Sequence, residues 1–426
     1  MLLLLSKSIE LPVFLYNIFL VLYRLGIVVA SLWNPKAKKW VAGRKGLLDK
    51  IQRSVRKNNS RTIWFHCSSL GEFEQGKPII EQIKARYPKH QIVLTFYSPS
   101  GYEVKKNYEG ADYVFYLPID SRKNARSFLN HIDPALVVFI KYDYWYYYLH
   151  EIKRRKIHCL LVSAVFRKDQ PFFQWWGGLQ RKMLLCFTEV FVQNNASKGL
   201  LEKINIPSVV SGDTRFDSVI DTAIKFESLP AIEQFIGHDR CIIAGSTWET
   251  DEVILKEALI KLNYPNVKLI IAPHEIHPKH LDELNDLFPA SITFSQLASR
   301  SMNTHVLIVD NIGMLSRLYN YGSITYVGGG FTRDGVHNVL EPAVYGKPVL
   351  FGNNYKKYRE AIELVTSGGG ISFSTPEELH QIIKTLLTNE NDYRQRCEAA
   401  KNYVGNNKGA VEKILRYIDE KRLLTN

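Results

Sequence analysis

Residues 328–352, GGGFTRDGVHNVLEPAVYGKPVLFG, hold three glycines, a histidine, an asparagine and a glutamate in a spacing that suits a bound nucleotide. The apolar run Ile324–Val327 reads as a buried strand that ends in Gly328, Gly329 and Gly330, and a helix is expected over 338–345. A glycine cluster between a strand and a helix start lets backbone N–H groups come close to an anion. Glu341, one turn into that helix, can accept hydrogen bonds from sugar hydroxyls, so the pattern suits a phosphate with a ribose attached. The competing reading is a glycine-rich turn without a ligand. His337, Asn338 and Glu341 argue against it, because a mere turn needs none of these polar groups.

Other chemistry-bearing residues stand at similar places. Gly245-Ser246-Thr247 ends an apolar run before a helical pattern, so its N–H groups and hydroxyls also suit a phosphate. Ala272-Pro273-His274-Glu275 ends the next run. In the first half, His66-Cys67-Ser68-Ser69-Leu70-Gly71-Glu72 follows a strand pattern. A carboxylate there can serve as the general base that a sugar hydroxyl needs before it attacks, typically for about 10²–10⁴-fold in rate. Alternatively Glu72 is an acidic residue near the start of a helix over 75–86, favoured by its dipole, although Glu74 suits that part better. Asp143 follows the run Leu136–Ile140 and either orients a substrate or caps the next helix. Tyr142, Tyr144, Trp145, Tyr146, Tyr147 and Tyr148 are more aromatics than one buried helix face can use; core packing is expected for part, and contact with sugar or acyl chain for the rest.

The elements that must position these residues alternate. Runs 62–66, 92–96, 113–116, 136–140, 159–162 and 190–192 read as buried strands, with amphipathic stretches over 75–86, 122–131 and 145–155. A second series follows at 241–244, 267–272, 306–309, 324–327 and 349–351, with helices over 250–262, 277–287 and 354–366. Continuous apolar strands with intervening helices imply parallel sheets covered on both faces. The fold class is therefore α/β, two doubly wound Rossmann-like domains, with ligands expected at the carboxyl ends of the strands.

The chain of 426 residues, 46% of them hydrophobic, is long enough for two cores. Five scattered cysteines and dispersed histidines give no disulfide framework and no metal-ligand spacing. A net charge of +13 favours an anionic partner. No nucleic-acid-binding signature accompanies it. Residues 11–33 are mostly apolar, interrupted by Asn17 and Arg24. About 20 apolar residues are needed to cross a bilayer, so they either span it or lie in its surface as an uncleaved anchor. Lys36, Lys38, Lys39, Arg44, Lys45, Lys50, Arg53, Arg56 and Lys57 follow, and such a cluster stays on the cytoplasmic side against anionic lipid.

Glu341-Pro342-Ala343-Val344-Tyr345-Gly346 resembles the Glu-Pro-x-x-x-Gly element of glycosyltransferases of the two-Rossmann-domain (GT-B) type. The fuller string around it resembles the 3-deoxy-D-manno-octulosonic acid (Kdo) transferases of lipopolysaccharide synthesis. Ser69-Leu70-Gly71-Glu72, Ser98-Pro99-Ser100-Gly101, Gly245-Ser246-Thr247-Trp248-Glu249 and Ala272-Pro273-His274 continue the likeness. The resemblance implies an inverting transfer of Kdo from CMP-Kdo to a lipid A precursor, without metal or cofactor, at the cytoplasmic face of the inner membrane. It implies two domains facing across a cleft, with Glu72 as base and Asp143 in a position where the family usually has a longer glutamate. On the donor side it implies Gly71, Gly245, Ser246, Thr247, Pro273, Gly328, Gly329, Gly330, His337, Asn338 and Glu341. His274 stands where an arginine is expected. Arg215 matches a lysine-containing linker element and either meets donor carboxylate or phosphate or ties the hinge. The expected division is 1–33 anchor, 34–60 basic segment, 61–212 acceptor domain, 213–237 linker, 238–389 donor domain, and 390–426 helices folding back on the first domain. The alternatives are a lipid-directed GT-B enzyme using a UDP-sugar, and a non-catalytic nucleotide-sugar-binding membrane module.

Overall fold

A computed structural model describes residues 2–56, 60–260, 266–297 and 304–424, with side chains from Leu11 onward. Lys57 of the basic cluster and the last two residues of the helix expected over 250–262 lie outside the described residues. The chain forms two compact units, residues 1–218 with 409–426, and residues 219–408. Each unit is built on one parallel sheet, seven-stranded among the described residues.

In the first unit the strands are β1 (Thr62–Cys67), β2 (Gln91–Phe96), β3 (Tyr113–Tyr116), β4 (Pro134–Ile140), β5 (His158–Ala164), β6 (Glu189–Val192) and β7 (Val209–Val210). Their order is β3-β2-β1-β4-β5-β6-β7. The chain winds outward from β1 in one direction, then returns to lay β4 on its other side. The crevice at that reversal is where doubly wound sheets hold ligands. The short β7 is not legible as an apolar run.

Helices α1 (Leu2–Ala30), α2 (Pro35–Ala42) and α3 (Leu47–Ser54) precede the sheet. They are packed on it, so the unit does not begin at residue 61. Trp40, Leu47, Ile51 and Val55 are buried in the same core cluster as Trp64 and Phe128. Along α1, Val13, Tyr16, Leu20, Tyr23 and Ile27 repeat at three- and four-residue spacing, which puts them on one face. Val13, Tyr16 and Ile27 pack on that core, Leu20 is buried, and Tyr23 stacks on Tyr97 at 6.3 Å. Tyr16 donates to Asp120 at 2.7 Å, and Tyr147 donates to Asn17 at 2.7 Å. The opposite face, with Leu11, Phe14, Leu15, Ile18, Leu22 and Leu25, is exposed.

Arg44 leaves the expected surface cluster. Its guanidinium donates to the carbonyls of Leu117 (3.1 Å), Trp40 (3.2 Å) and Tyr97 (2.8 Å), and lies 4.0 Å from the Trp40 ring centroid. Burial lowers its pKa to about 10, so it stays charged at neutral pH as an internal strut.

The second unit carries β8 (Arg240–Thr247), β9 (Val267–Pro273), β10 (Ser291–Thr293), β11 (Val306–Ile308), β12 (Ile324–Val327), β13 (Val349–Gly352) and β14 (Gly370–Phe373), ordered β10-β11-β9-β8-β12-β13-β14. The reversal lies between β8 and β12, so the glycine loops after both flank it. The stretch expected as a linker forms helices Thr214–Ile224 and Pro230–Ile236, and the boundary between units falls after Ser218. Of the terminal helices, Glu390–Asn406 belongs to the second unit and Ala410–Glu420 to the first. There Ile414 and Ile418 pack with Ile79 and Ile83, and Asp217 accepts from the N–H groups of Gly409 (2.7 Å) and Val411 (3.0 Å).

Arg44→Met keeps the apolar stem but leaves buried carbonyls unpaired, so a loss of about 1–3 kcal/mol is expected. The midpoint of urea unfolding measures it, with Lys45→Met as the exposed control. Equal midpoints for the two variants would return Arg44 to the surface cluster.

Candidate functional site

The helix after β1, α4 (Leu70–Arg86), begins five residues earlier than its periodicity suggests. Ser69 is its N-cap, and Glu72 lies in its first turn. Glu72 Oε2 accepts from Ser69 N at 3.1 Å, and the Ser69 hydroxyl also donates to it. The dipole-partner reading of Glu72 therefore has real content, because its carboxylate satisfies a helix-terminal N–H. A Cβ on Gly71 would meet only Ser69 Oγ, at 3.8 Å. The protein itself leaves that space open, so nothing in the fold demands glycine there.

Across the β1/β4 reversal, Lys141 has a left-handed backbone (φ 69°) as the chain leaves β4. A non-glycine residue held so costs about 1–3 kcal/mol, a kind of strain concentrated at functional sites. Asp143 does not cap the next helix, whose N-cap is Trp145. Its Oδ2 lies 2.7 Å from His66 Nε2. His66 Nδ1 is 2.8 Å from Thr95 Oγ1, which accepts from Trp64 Nε1 at 2.8 Å. The Thr95 hydroxyl also donates to Phe65 O at 3.3 Å, and His66 Nε2, which faces Asp143, accepts from Trp145 Nε1 at 3.3 Å. His66, buried in β1, is thus a partner that the strand pattern concealed.

Burial raises the pKa of Tyr142, Arg167 and Arg215 oppose the rise, and Glu72 adds to it. These four side chains therefore share one electrostatic neighbourhood. Arg167 was not marked by any sequence pattern. Arg215 is gripped by Asp213, with Nη2 at 2.7 Å and Nε at 3.0 Å from Oδ2. The rest of the aromatic run is used for packing: Tyr148 is buried and donates to Pro118 O, Trp145 stacks on Tyr97 at 4.5 Å, and Tyr146 and Tyr147 receive Tyr16.

In the second unit the glycine loops come together, but their N–H groups turn inward. Gly328 N donates to Gly245 O at 2.9 Å, and Gly329 N to Asp251 Oδ2 at 2.9 Å. The glycines are needed for close approach instead. A Cβ on Gly328 would lie 2.2 Å from Ser246 O, and one on Gly330 2.4 Å from Gly352 N. Thr247 Oγ1 donates to Glu252 Oε1 at 2.8 Å, so its hydroxyl also faces inward. Helix Glu249–Ile260 has Glu249, Asp251 and Glu252 in its first turn, charges that oppose an anion there. Ser246 has a left-handed backbone (φ 54°) at the bulge where β8 leaves register with β9. The helix expected over 338–345 is one turn, Leu340–Ala343, and Gly346 (φ 63°) follows it. Asn338 donates to Glu341 Oε1 at 3.0 Å and accepts from Leu340 N, which fixes the orientation of both side chains.

Residues 41–218 match the family model described as 3-deoxy-D-manno-octulosonic-acid transferase (Kdo transferase). Proteins of that name from Haemophilus influenzae (26% identical, covering 83% of this chain and 85% of the other) and Chlamydia trachomatis serovar A (28%, 83% and 84%) are similar along both units. Residues 41–218 thus carry the Kdo transferase domain, and the chain as a whole is similar to Kdo transferases. The GT-B architecture agrees with the solved UDP-GlcNAc 2-epimerase of Neisseria meningitidis bound to UDP-GlcNAc, which superposes with a TM-score of 0.58 at 17% identity over 84% of this chain and all of the other.

His274 follows Pro273 at the end of β9 and stacks on two neighbouring rings. Its centroid lies 4.7 Å from Trp248 and 4.4 Å from His337. Trp248 Nε1 donates to His337 Nε2 at 3.0 Å, so that nitrogen is unprotonated and the ring's proton sits on Nδ1. Burial and the neighbouring His274 lower the His337 pKa to about 4, and burial also lowers that of His274. Both shifts favour the neutral rings, which for His274 runs against the cation that an arginine there would supply.

A histidine whose pKa falls from about 6.5 unfolded to about 4 folded stabilises fully above pH 6.5. The contribution, at most about 3 kcal/mol, is lost as pH falls from 6.5 through 4. His337→Gln should flatten the decline in melting temperature over that interval relative to the parent. Parallel profiles would mean that His337 titrates normally.

Proposed function

We propose that the protein transfers Kdo from CMP-Kdo to a lipid A precursor, with Glu72 as the general base and inversion at the anomeric carbon. The observation that carries this reading is the position of Glu72 beside Gly71, at the β1/β4 reversal, on a helix start where the fold leaves room for a ligand. The acceptor hydroxyl loses its proton to Glu72 as it attacks, which turns a weak nucleophile into an alkoxide-like one in the transition state. Asp143, held by His66, orients the acceptor, while Arg167 and Arg215 face the negative charge of donor carboxylate or lipid phosphate. In the second unit Ser246, His337, Asn338, Glu341 and the glycine loops shape the nucleotide site, with Glu341 on the ribose. The reading includes metal independence, with the charge on departing CMP met by protein groups.

We further propose that the protein works on the cytoplasmic face of the inner membrane, with α1 lying in the membrane surface. The stripe from Val13 to Ile27 covers about 21 Å of helix at 1.5 Å per residue and rests on the water-soluble unit. A helix so attached along its length presents its outer apolar face to lipid sideways, as interfacial helices do. Exposed Lys36, Lys38, Lys39, Lys45, Lys50, Arg53 and Arg56 meet the anionic headgroups, without Arg44.

Glu72→Gln separates chemistry from structure, because glutamine can still accept from Ser69 N. Turnover with CMP-Kdo and tetra-acylated lipid A precursor should drop by at least about 100-fold, with CMP affinity unchanged. Retained turnover would remove Glu72 from the mechanism, and transfer from a UDP-sugar alone would overturn the donor assignment.

Glu341→Ala should weaken CMP binding by roughly 1.5–3 kcal/mol, the worth of hydrogen bonds to a charged group. Calorimetric titration reads this directly. Equal affinities would make Glu341 a structural partner of Asn338 only.

A further inference from the structure

Trp175 is 91% exposed and its neighbour Trp176 53%. An indole is a large apolar body, and proteins rarely leave two adjacent ones in water without a use. The loop that carries them is firmly braced. Arg181 Nη1 donates to Phe172 O at 2.9 Å and Gln174 O at 2.8 Å, Gln174 Nε2 donates to Lys168 O at 3.1 Å, and Gly177 N donates to Gln174 O at 3.0 Å. A Cβ on Gly177 would lie 1.8 Å from Pro171 O, so the turn tolerates only glycine. Beneath it, Phe172 is buried against Phe166 and Tyr144. The tryptophans are thus held outward on a fixed support.

Two further observations say what they meet. The following helix, Gly178–Leu184, packs against α1, and Leu185 at its end is exposed, so the loop stands beside the helix already read as the membrane anchor. Exposed charge near the pair is mainly basic: Arg167, Lys168 and Lys182, against Asp169. Tryptophan at the headgroup level with cations around it is the composition of a membrane interface.

We propose that Trp175 and Trp176 are a second insertion point into an anionic lipid surface, which with α1 fixes the orientation of the first unit on the membrane. This rests on the reading of α1 as an interfacial helix. Three points in a plane orient a body, whereas one helix leaves it free to roll about its axis. The rolled angle decides whether the opening at Glu72 meets a lipid-borne acceptor.

The test uses the full chain with vesicles of phosphatidylglycerol and phosphatidylethanolamine carrying brominated acyl chains, which quench nearby tryptophan. Exposed Trp33, just past α1, reports the anchor, and Trp175 with Trp176 report the loop. In a Trp33→Phe protein quenching should persist, and it should disappear when Trp175→Phe and Trp176→Phe are added. Trp175→Ser with Trp176→Ser should weaken vesicle partitioning by about tenfold per side chain, with turnover on detergent-dispersed acceptor unchanged. Quenching of Trp33 without quenching of the loop would overturn the proposal and leave the anchor standing. Loss of both signals would overturn the interfacial helix as well. A parent that self-associates without lipid, and a serine variant that does not, would make the loop a protein contact and also overturn it.

Discussion

Asp251 has no exposed surface, yet its carboxylate accepts from Tyr326 Oη (2.6 Å), Gly329 N (2.9 Å) and Trp248 N (3.0 Å). Taking a carboxylate out of water costs several kcal/mol unless hydrogen bonds replace its hydration, and here three donors from two segments do so. Burial still raises its pKa, with those donors opposing the rise. The consequence is geometric. The loop after β8 and the loop after β12 are bound to one group at the reversal of the sheet, so neither can move without stranding a buried charge. The glycines then let the strand ends approach until main chain touches main chain, which makes this end of the second unit a rigid floor. Ser246, His337, Asn338 and Glu341, the residues proposed to shape the nucleotide site, stand on that floor.

Asp120 plays the comparable part in the first unit. It is buried, burial raises its pKa to about 6, and it accepts from Tyr16 Oη, Tyr147 N and Tyr148 N. One of these donors comes from α1, so the apolar helix is keyed to the body by a polar bond that lipid could not offer. The tyrosine-rich segment that follows β4 is therefore the seat of α1. It is also the segment that carries Asp143, so the contacts of α1 and the Asp143–His66 pair share one short stretch of chain.

The two units repeat one layout. Each places its chemistry-bearing loops where the strand order reverses, and each holds a serine in left-handed conformation at a bulge, Ser163 in β5 and Ser246 in β8. Ser163 bonds Thr214 at 3.0 Å, beside the helix that leads out of the unit.

The strand runs and their alternation with helices were legible in the sequence, because a strand buried on both faces has no choice but an uninterrupted apolar run. So were the two-domain class, the likeness to Kdo transferases, the apolar run of α1 and the loops that carry Glu72, Gly245–Thr247 and Gly328–Gly330. Short edge strands such as β7 and β14 left no such run, and helix starts were misjudged where a cap, as at Ser69, outweighed periodicity. Direction was the larger gap. Sequence spacing says which residues end a strand but not whether an N–H or hydroxyl turns toward a ligand or toward the protein. Only tertiary structure turned Gly329 N and Thr247 Oγ1 inward, withdrew Arg44 from the surface, paired Asp143 with a histidine in another strand, and laid α1 along the body. Apart from the Thr247 bond, made to Glu252 five residues on, these are contacts between segments distant in sequence, and such contacts are decided by which buried polar groups must find partners once the sheets have closed.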